Sequence, residues 1–225
     1  MKSIIITGAG SGLGKELALR YGRLGYHLLL AGRTLEKLKT VEAQIHAENG
    51  QADSFAVDIS SPSEIQNFIS SAAEKYTLFG LINNAGIGHF GPFEQMSHGK
   101  IEEMLRINLL GTIYMSQAVL PFLVQNNEGL VMNIISTAGL RGKINESGYA
   151  ASKFAVRGFT ESLQIEYGHT GVSIKAVYMG GMNTPFWDHN QFIADRSRLR
   201  SPAEIADQIL ANIEKEAIII ESSRE

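Results

Sequence analysis

The chain contains no cysteine, which excludes disulfides and thiolate metal sites and is compatible with a reducing compartment. It has no bias of charge: 20 lysines and arginines stand against 23 acidic residues, so nothing electrostatic points to nucleic acid or to an anionic membrane. The histidines at 27, 46, 89, 98, 169 and 189 show no metal-ligand spacing, and no metal is expected. Long apolar runs are missing too. The start, MKSIIITGAG, reaches glycine after the short run Ile4 to Thr7, too short for a signal-peptide core. No later run approaches the roughly 20 apolar residues that cross a bilayer. No repeat, low-complexity tract or linker interrupts the chain. These absences make a cytoplasmic globular protein the expectation. With 225 residues and a hydrophobic share of 44%, one sizeable core is affordable, so residues 1–225 are read as a single domain.

What is present is an alternation. Apolar, β-branched runs at Ser3–Thr7, His27–Ala31, Asp53–Val57, Leu78–Asn83, Gly129–Ile135 and Val172–Tyr178 read as strands, with a short last one at Ala217–Ile220. Between them lie helical patterns, among them a long one from about Ser97 to Asn126 and another from Tyr149 to about Gly168. Ser61, Pro62 and Glu64 have the order of a capping box. Strands alternating with helices predict an α/β fold, a doubly wound parallel sheet covered on both faces, with ligands at the carboxyl ends of its strands.

Thr7 to Gly14 (TGAGSGLG) sits between the first predicted strand and helix, the context in which a glycine pattern acquires meaning. Gly8, Gly12 and Gly14 follow G-x-x-x-G-x-G. With Gly10, Ser11 and Leu13 they form a loop able to turn tightly against a pyrophosphate at a helix N-terminus. A phosphate-binding P-loop is excluded, since Lys15 is followed by Glu16. The second strand ends in Ala31-Gly32-Arg33-Thr34, with no acid for a ribose 2′-hydroxyl. Arg33, with Thr34 as a second donor, is placed to meet a 2′-phosphate, so NADP(H) is expected over NAD(H).

In ISTAGLRGKINESGYAASK a hydroxyl, a phenol and an amine fall within a short reach. Tyr149 and Lys153 are four apart on a predicted helix and share a face. A phenol ionises near a pKa of about 10, and a lysine cation beside it favours the phenolate; moving it three units takes roughly 4 kcal/mol. That combination is a general acid/base, with Ser136 at a strand tip to hold the oxygen being protonated.

Taken in order, TGAGSGLG, Asp58, NNAG (Asn83 to Gly86), Asn108, Ser136, Tyr149 and Lys153 resemble the short-chain dehydrogenase/reductase family over nearly the whole chain, including the 12 residues between Ser136 and Tyr149. The resemblance implies a Rossmann-type fold and a role for each position. Tyr149 would transfer the proton while hydride passes between substrate carbon and nicotinamide. Lys153 would lower the tyrosine pKa and bind the nicotinamide ribose. Ser136 would hold the substrate oxygen, and Asn108 would anchor a water relay to Lys153. Asp58 and Ile59 would contact adenine, unless Asp58 is only a turn residue. Asn84, Ala85 and Gly86 would line the cofactor cleft, and Gly180 and Thr184 the nicotinamide. His89, Phe90 and Phe93 would form one wall of a substrate pocket, or simply pack on the core. Phe186 and Trp187, with His189 and Phe192, would belong to a lid segment over about 179–200, or simply pack on the core. Arg196, Arg198 and Arg200 would meet an anionic substrate or form a solvated face. Two departures stand out: Met179-Gly180 replaces the family's Pro-Gly, and the C-terminus after the last strand is short. The second favours a homodimer through the two long helices over a tetramer. The reading is NADPH-dependent reduction of a ketone or aldehyde. Oxidation of an alcohol is its alternative, and a non-catalytic NADP-binding regulator is the alternative of another class.

Overall fold

A computed structural model describes residues 1–188 and 199–221. Its strands are β1 (Lys2–Thr7), β2 (His27–Gly32), β3 (Gln51–Ala56), β4 (Thr77–Asn83), β5 (Gly129–Ile134), β6 (Val172–Met179) and β7 (Ala217–Ile220). Its helices are α1 (Gly12–Arg23), α2 (Leu35–Ala47), α3 (Pro62–Lys75), α4 (His98–Met104), α5 (Gly111–Gln125), α6 (Ser147–Tyr167) and α7 (Pro202–Ala211). The strands make one parallel sheet in the order β3-β2-β1-β4-β5-β6-β7. This is the expected doubly wound sheet. Its order reverses between β1 and β4, and a crevice opens at that point beyond their carboxyl ends.

Side chains of a strand alternate between faces, and here both faces are covered, so the inner strands are largely apolar, whereas the edge strands β3 and β7 keep exposed positions. Ile4, Ile6, Leu28, Leu30 and Val177 pack under α1, α2 and α7, against Leu17, Val41, Ile45 and Ile209. Ile5, Leu29, Leu81 and Val131 pack on the opposite side, against Ile65 and Ile69 of α3, Met115, Val119 and Leu123 of α5, and Leu163 of α6. Half of the predicted capping box forms. The Ser61 hydroxyl accepts the Glu64 N–H at 3.4 Å, but the Glu64 carboxylate reaches further back to the Asp58 N–H at 2.9 Å.

The long helix differs most from its sequence reading. Between α4 and α5 the residues Leu105–Leu110 form a π turn with Asn108 inside it, a local irregularity often found at functional sites. With it, His98–Gln125 is one continuous 28-residue helix, long and apolar enough by length and composition to cross a membrane. The charges of Glu102, Glu103 and Arg106 hide that run in the sequence. Half of its most apolar window is buried inside the fold, where Met115, Val119 and Leu123 are fully covered by the sheet-facing core, and we read it as a core helix.

Candidate active site

A cleft of about 460 Å³ occupies the crevice at the β1–β4 switch point. The glycine loop forms its floor. Gly8 has a φ of 66°, and a Cβ on Gly14 would lie 2.5 Å from both the Gly8 carbonyl and the Asn84 amide, so neither position accepts another residue. Thr7 Oγ1 accepts the N–H groups of Asn84 and Ala85, each at 3.0 Å, and Asn84 Nδ2 donates to the Thr7 carbonyl at 2.9 Å. The loops after β1 and β4 are thereby locked together. Asn83 braces the frame behind them, donating to Ser116 Oγ at 3.0 Å and Asn133 Oδ1 at 2.9 Å.

The donors a pyrophosphate needs are free at this floor. Ser11 caps α1 with extended backbone, its hydroxyl makes no capping bond, and no acid occupies the first turn. Gly8, Gly10, Ser11, Gly12 and Leu13 face the cleft, whereas Gly14 serves the packing of loop on loop. At the far end Arg33, Thr34, Asp58 and Ile59 also face it. The Thr34 hydroxyl makes no capping bond to α2, and neither Arg33 nor Lys37 has a hydrogen bond or ion pair among the described residues. Lys37 was not anticipated. It starts one turn beyond Arg33, and its Cβ lies 2.9 Å from where a Cβ on Gly10 would be, so its stem overlies the glycine loop. Burial raises the Asp58 carboxyl, but the bonds from Ser60 and the charges of Arg33 and Arg106 outweigh it and hold the group below its ordinary range. Extended donors, two cations and an ionised carboxylate fit a phosphorylated dinucleotide.

The other end is buried and strained. Ser136 follows β5 with φ 143° and ψ 155°, a region otherwise occupied almost solely by glycine, at a cost of about 1–3 kcal/mol. Its hydroxyl accepts the Ala138 N–H at 3.1 Å and hydrogen-bonds Tyr149. Tyr149 and Lys153 of α6 are 6% and 5% exposed. Lys153 Nζ donates to the Ile134 carbonyl at 3.0 Å and lies 5.8 Å from the centre of the Tyr149 ring. Their proton affinities correct the expectation drawn from charge alone. Burial pushes the Tyr149 phenol well above its usual range, with Glu146 adding to the rise and only the bond from Ser136 opposing it. Burial also lowers Lys153, to about 8. In the free protein desolvation dominates Tyr149, and Lys153 is not among the groups that lower it.

Asn108 does not face the cleft. Its amide oxygen accepts the Ile87 N–H at 2.8 Å, while Nδ2 donates to the Ile87 carbonyl at 2.9 Å and to Ser152 Oγ at 3.0 Å. It thus fastens the loop after β4 to α6, with Gly86 against both Asn108 and Lys153. The expected aromatic wall divides in two. Phe186 and Trp187 face the cleft, whereas Phe90 stands behind them, stacked on Trp187 at 5.1 Å and edge-on to Tyr149 at 5.3 Å. His89 leaves the wall because its Nε2 pairs with Glu103 at 2.8 Å, and Phe93 is 62% exposed and does not line the cleft. Thr184 is buried beside Gly12. Despite Met179, the loop after β6 is tethered: Gly180 N–H donates to the Ile220 carbonyl at 2.9 Å, and Met182 bridges to Arg200. Arg200 pairs with Glu204 at 2.6 Å. His189, Phe192, Arg196 and Arg198 lie outside the described residues. Lys143 and Glu146, also not anticipated, line the mouth beside Tyr149.

A sheet of this order with such a cleft at its switch point defines a nucleotide-binding α/β protein. The model of the short chain dehydrogenase family matches residues 2–192, and the chain belongs to that family. It is 32% identical over 205 residues to levodione reductase of Leifsonia aquatica, covering 89% of this chain and 77% of the relative. Sepiapterin reductase of Chlorobaculum tepidum is 30% identical over 192 residues, covering 82% and 79%. A short-chain dehydrogenase from Sphingobium yanoikuyae, solved in complex with NADPH, superposes with a TM-score of 0.90 at 26% identity, covering 98% of this chain and 87% of that one.

Proposed function

We propose that the protein is an NADPH-dependent reductase of a ketone or aldehyde. The observation that carries this reading is a single cleft with unpaired Arg33 and Lys37 at one end and a buried, proton-loaded tyrosine at the other. Arg33, Thr34 and Lys37 would hold the 2′-phosphate, the glycine loop and α1 the pyrophosphate, and Lys153 and Thr184 the nicotinamide end. Bound there, the cofactor supplies a hydride to the carbonyl carbon. The Ser136 hydroxyl orients the carbonyl oxygen, and the Tyr149 O–H donates its proton to that oxygen as charge develops on it. Lys153, with its pKa near 8, is cationic at neutrality and stabilises the phenolate left behind. The neutral phenol is the form that gives a proton to the carbonyl oxygen. The reductases named above support the same direction.

The test is NADPH consumption with a panel of ketones and diketones. At least one should turn over, and Tyr149→Phe should cut that turnover about 1,000-fold with little change in NADPH affinity. An inactive protein that binds NADPH tightly and ignores Tyr149→Phe would instead be the regulator.

We propose also that two copies pair through α5 and α6. Val124 of α5, Phe154 and Ile165 of α6 and Leu110 at the end of the π turn before α5 are exposed, and the Arg157–Glu161 pair at 2.7 Å offers both signs of charge to a two-fold mate. Sedimentation should show a dimer that Phe154→Asp dissociates; a monomeric wild type would overturn the pairing.

A further inference from the structure

Among the described residues Glu146 is the one carboxylate lining the chemical end of the cleft, and the chemistry proposed above does not use it. It precedes α6 as its cap residue, yet its side chain makes no capping bond. Lys143, three residues earlier, donates instead to Thr137 Oγ1 at 2.9 Å. Among the described residues the Glu146 carboxylate has no hydrogen bond and no ion pair. It is nonetheless half-buried and lines the cleft. Its charge acts on Tyr149, one helical turn further on. Burial raises the Glu146 carboxyl, and the Lys143 charge offsets that only in part. A carboxylate that faces the cleft without a protein donor is left to accept one from a ligand. Phe186 and Trp187 line the same cleft, braced by Phe90.

From this juxtaposition we propose that Glu146 sets substrate choice. It accepts a hydrogen bond from a hydroxyl, amide or ammonium group carried by a flat, apolar carbonyl compound, and it repels compounds with a carboxylate or phosphate in that place. The inference rests on the reductase reading and narrows it to donor-bearing aryl or cyclic ketones.

Trp187 is the only tryptophan, and it lines the cleft, so its fluorescence reports ligand binding whether or not turnover follows. Binding of two probes, a hydroxyl-bearing and a carboxylate-bearing aryl ketone of the same skeleton, is measured to the NADPH-loaded protein, alongside kcat/KM. The wild type should prefer the hydroxyl ketone by about tenfold to a hundredfold, the range of a hydrogen bond to a charged acceptor. Glu146→Gln and Glu146→Ala should bring the ratio of affinities toward one, through weaker binding of the hydroxyl ketone and stronger binding of the carboxylate ketone. Reading the ratio removes any general loss of folding or cofactor affinity. The same ratio in wild type and both variants would overturn the role of Glu146. Ligand binding with the predicted ratios but no turnover would keep that role and overturn the reductase reading.

Discussion

The two ends of the cleft are built in opposite ways. Where the 2′-phosphate is expected, Arg33, Thr34 and Lys37 are exposed, on the ordinary backbone of a strand end and a helix start. Where the proton would move, Tyr149 and Lys153 are almost wholly buried, and Ser136 sits in a backbone region that only glycine enters freely. Exposed cations cost the fold little and are screened by salt, so they recognise a charge at modest strength. Buried ionisable groups and strained backbone lower stability, and they persist where the surrounding structure holds them. The contrast separates a recognising end, which substitution should weaken gently, from a reacting end, where substitution should trade stability against chemistry.

The largest test of that contrast is Lys153. Its folded-state pKa of about 8 lies below the ordinary 10.5, so between these values the unfolded chain binds more protons than the folded one and stability rises with pH. The full amplitude is about 3 kcal/mol at about 1.4 kcal/mol per unit. Tyr149 acts in the opposite sense above its ordinary value of 10.0, where the unfolded chain loses its proton first, so the rise is clearest from pH 8 to 10. Lys153→Met should abolish that rise in urea titrations. At pH 7 it should leave the protein more stable by about 2 kcal/mol, the loss of the bond to Ile134 subtracting about 1 kcal/mol, while turnover disappears. A variant less stable than wild type at pH 7 would show that Lys153 supports the fold, and the division between the two ends would fail.

Much of this arrangement was legible in the sequence. Ile4, Ile5 and Ile6 announced a strand buried on both faces, the glycines after Thr7 announced a close approach, and the intervals Ser136–Tyr149–Lys153 announced the reacting group. Lys37 was within reach of the same reasoning, since a cation four residues after Arg33 shares its side of a helix start. So was Glu146, three residues before Tyr149 where the same helix begins. Other features depend on tertiary burial and left no mark in spacing. The spacing of Lys153 and Tyr149 is written in the sequence, but the desolvation that raises Tyr149 appears only once α6 is packed. The π turn holding Asn108 and the bond turning His89 to Glu103 depend on how the long helix meets the loop after β4. Neither follows from residue type.

At the recognising end, Arg33→Ala should raise the Kd for NADPH about tenfold and leave NADH nearly unchanged, the value of one exposed, charge-assisted hydrogen bond. Lys37→Ala should do the same more weakly, because a lysine meets phosphate as a point charge without the guanidinium fork. Both losses should shrink as salt is raised. Equal losses for NADPH and NADH, measured by fluorescence titration, would remove Arg33 from the phosphate site and leave the cleft without a recognising end.

The smallest effect separates strain from chemistry at one residue. Ser136→Ala and Ser136→Gly both remove the hydroxyl, so both should lower turnover alike. They differ in backbone: alanine keeps the cost of the positive φ of 143°, whereas glycine relieves about 1–3 kcal/mol and gives back about 0.5–1 kcal/mol through the greater freedom of the unfolded chain. Ser136→Gly should therefore unfold at higher urea than Ser136→Ala, by about 1 kcal/mol in free energy. Equal stability of the two variants would mean that the fold does not pay for the position of the hydroxyl, and that the reacting end is buried without being strained.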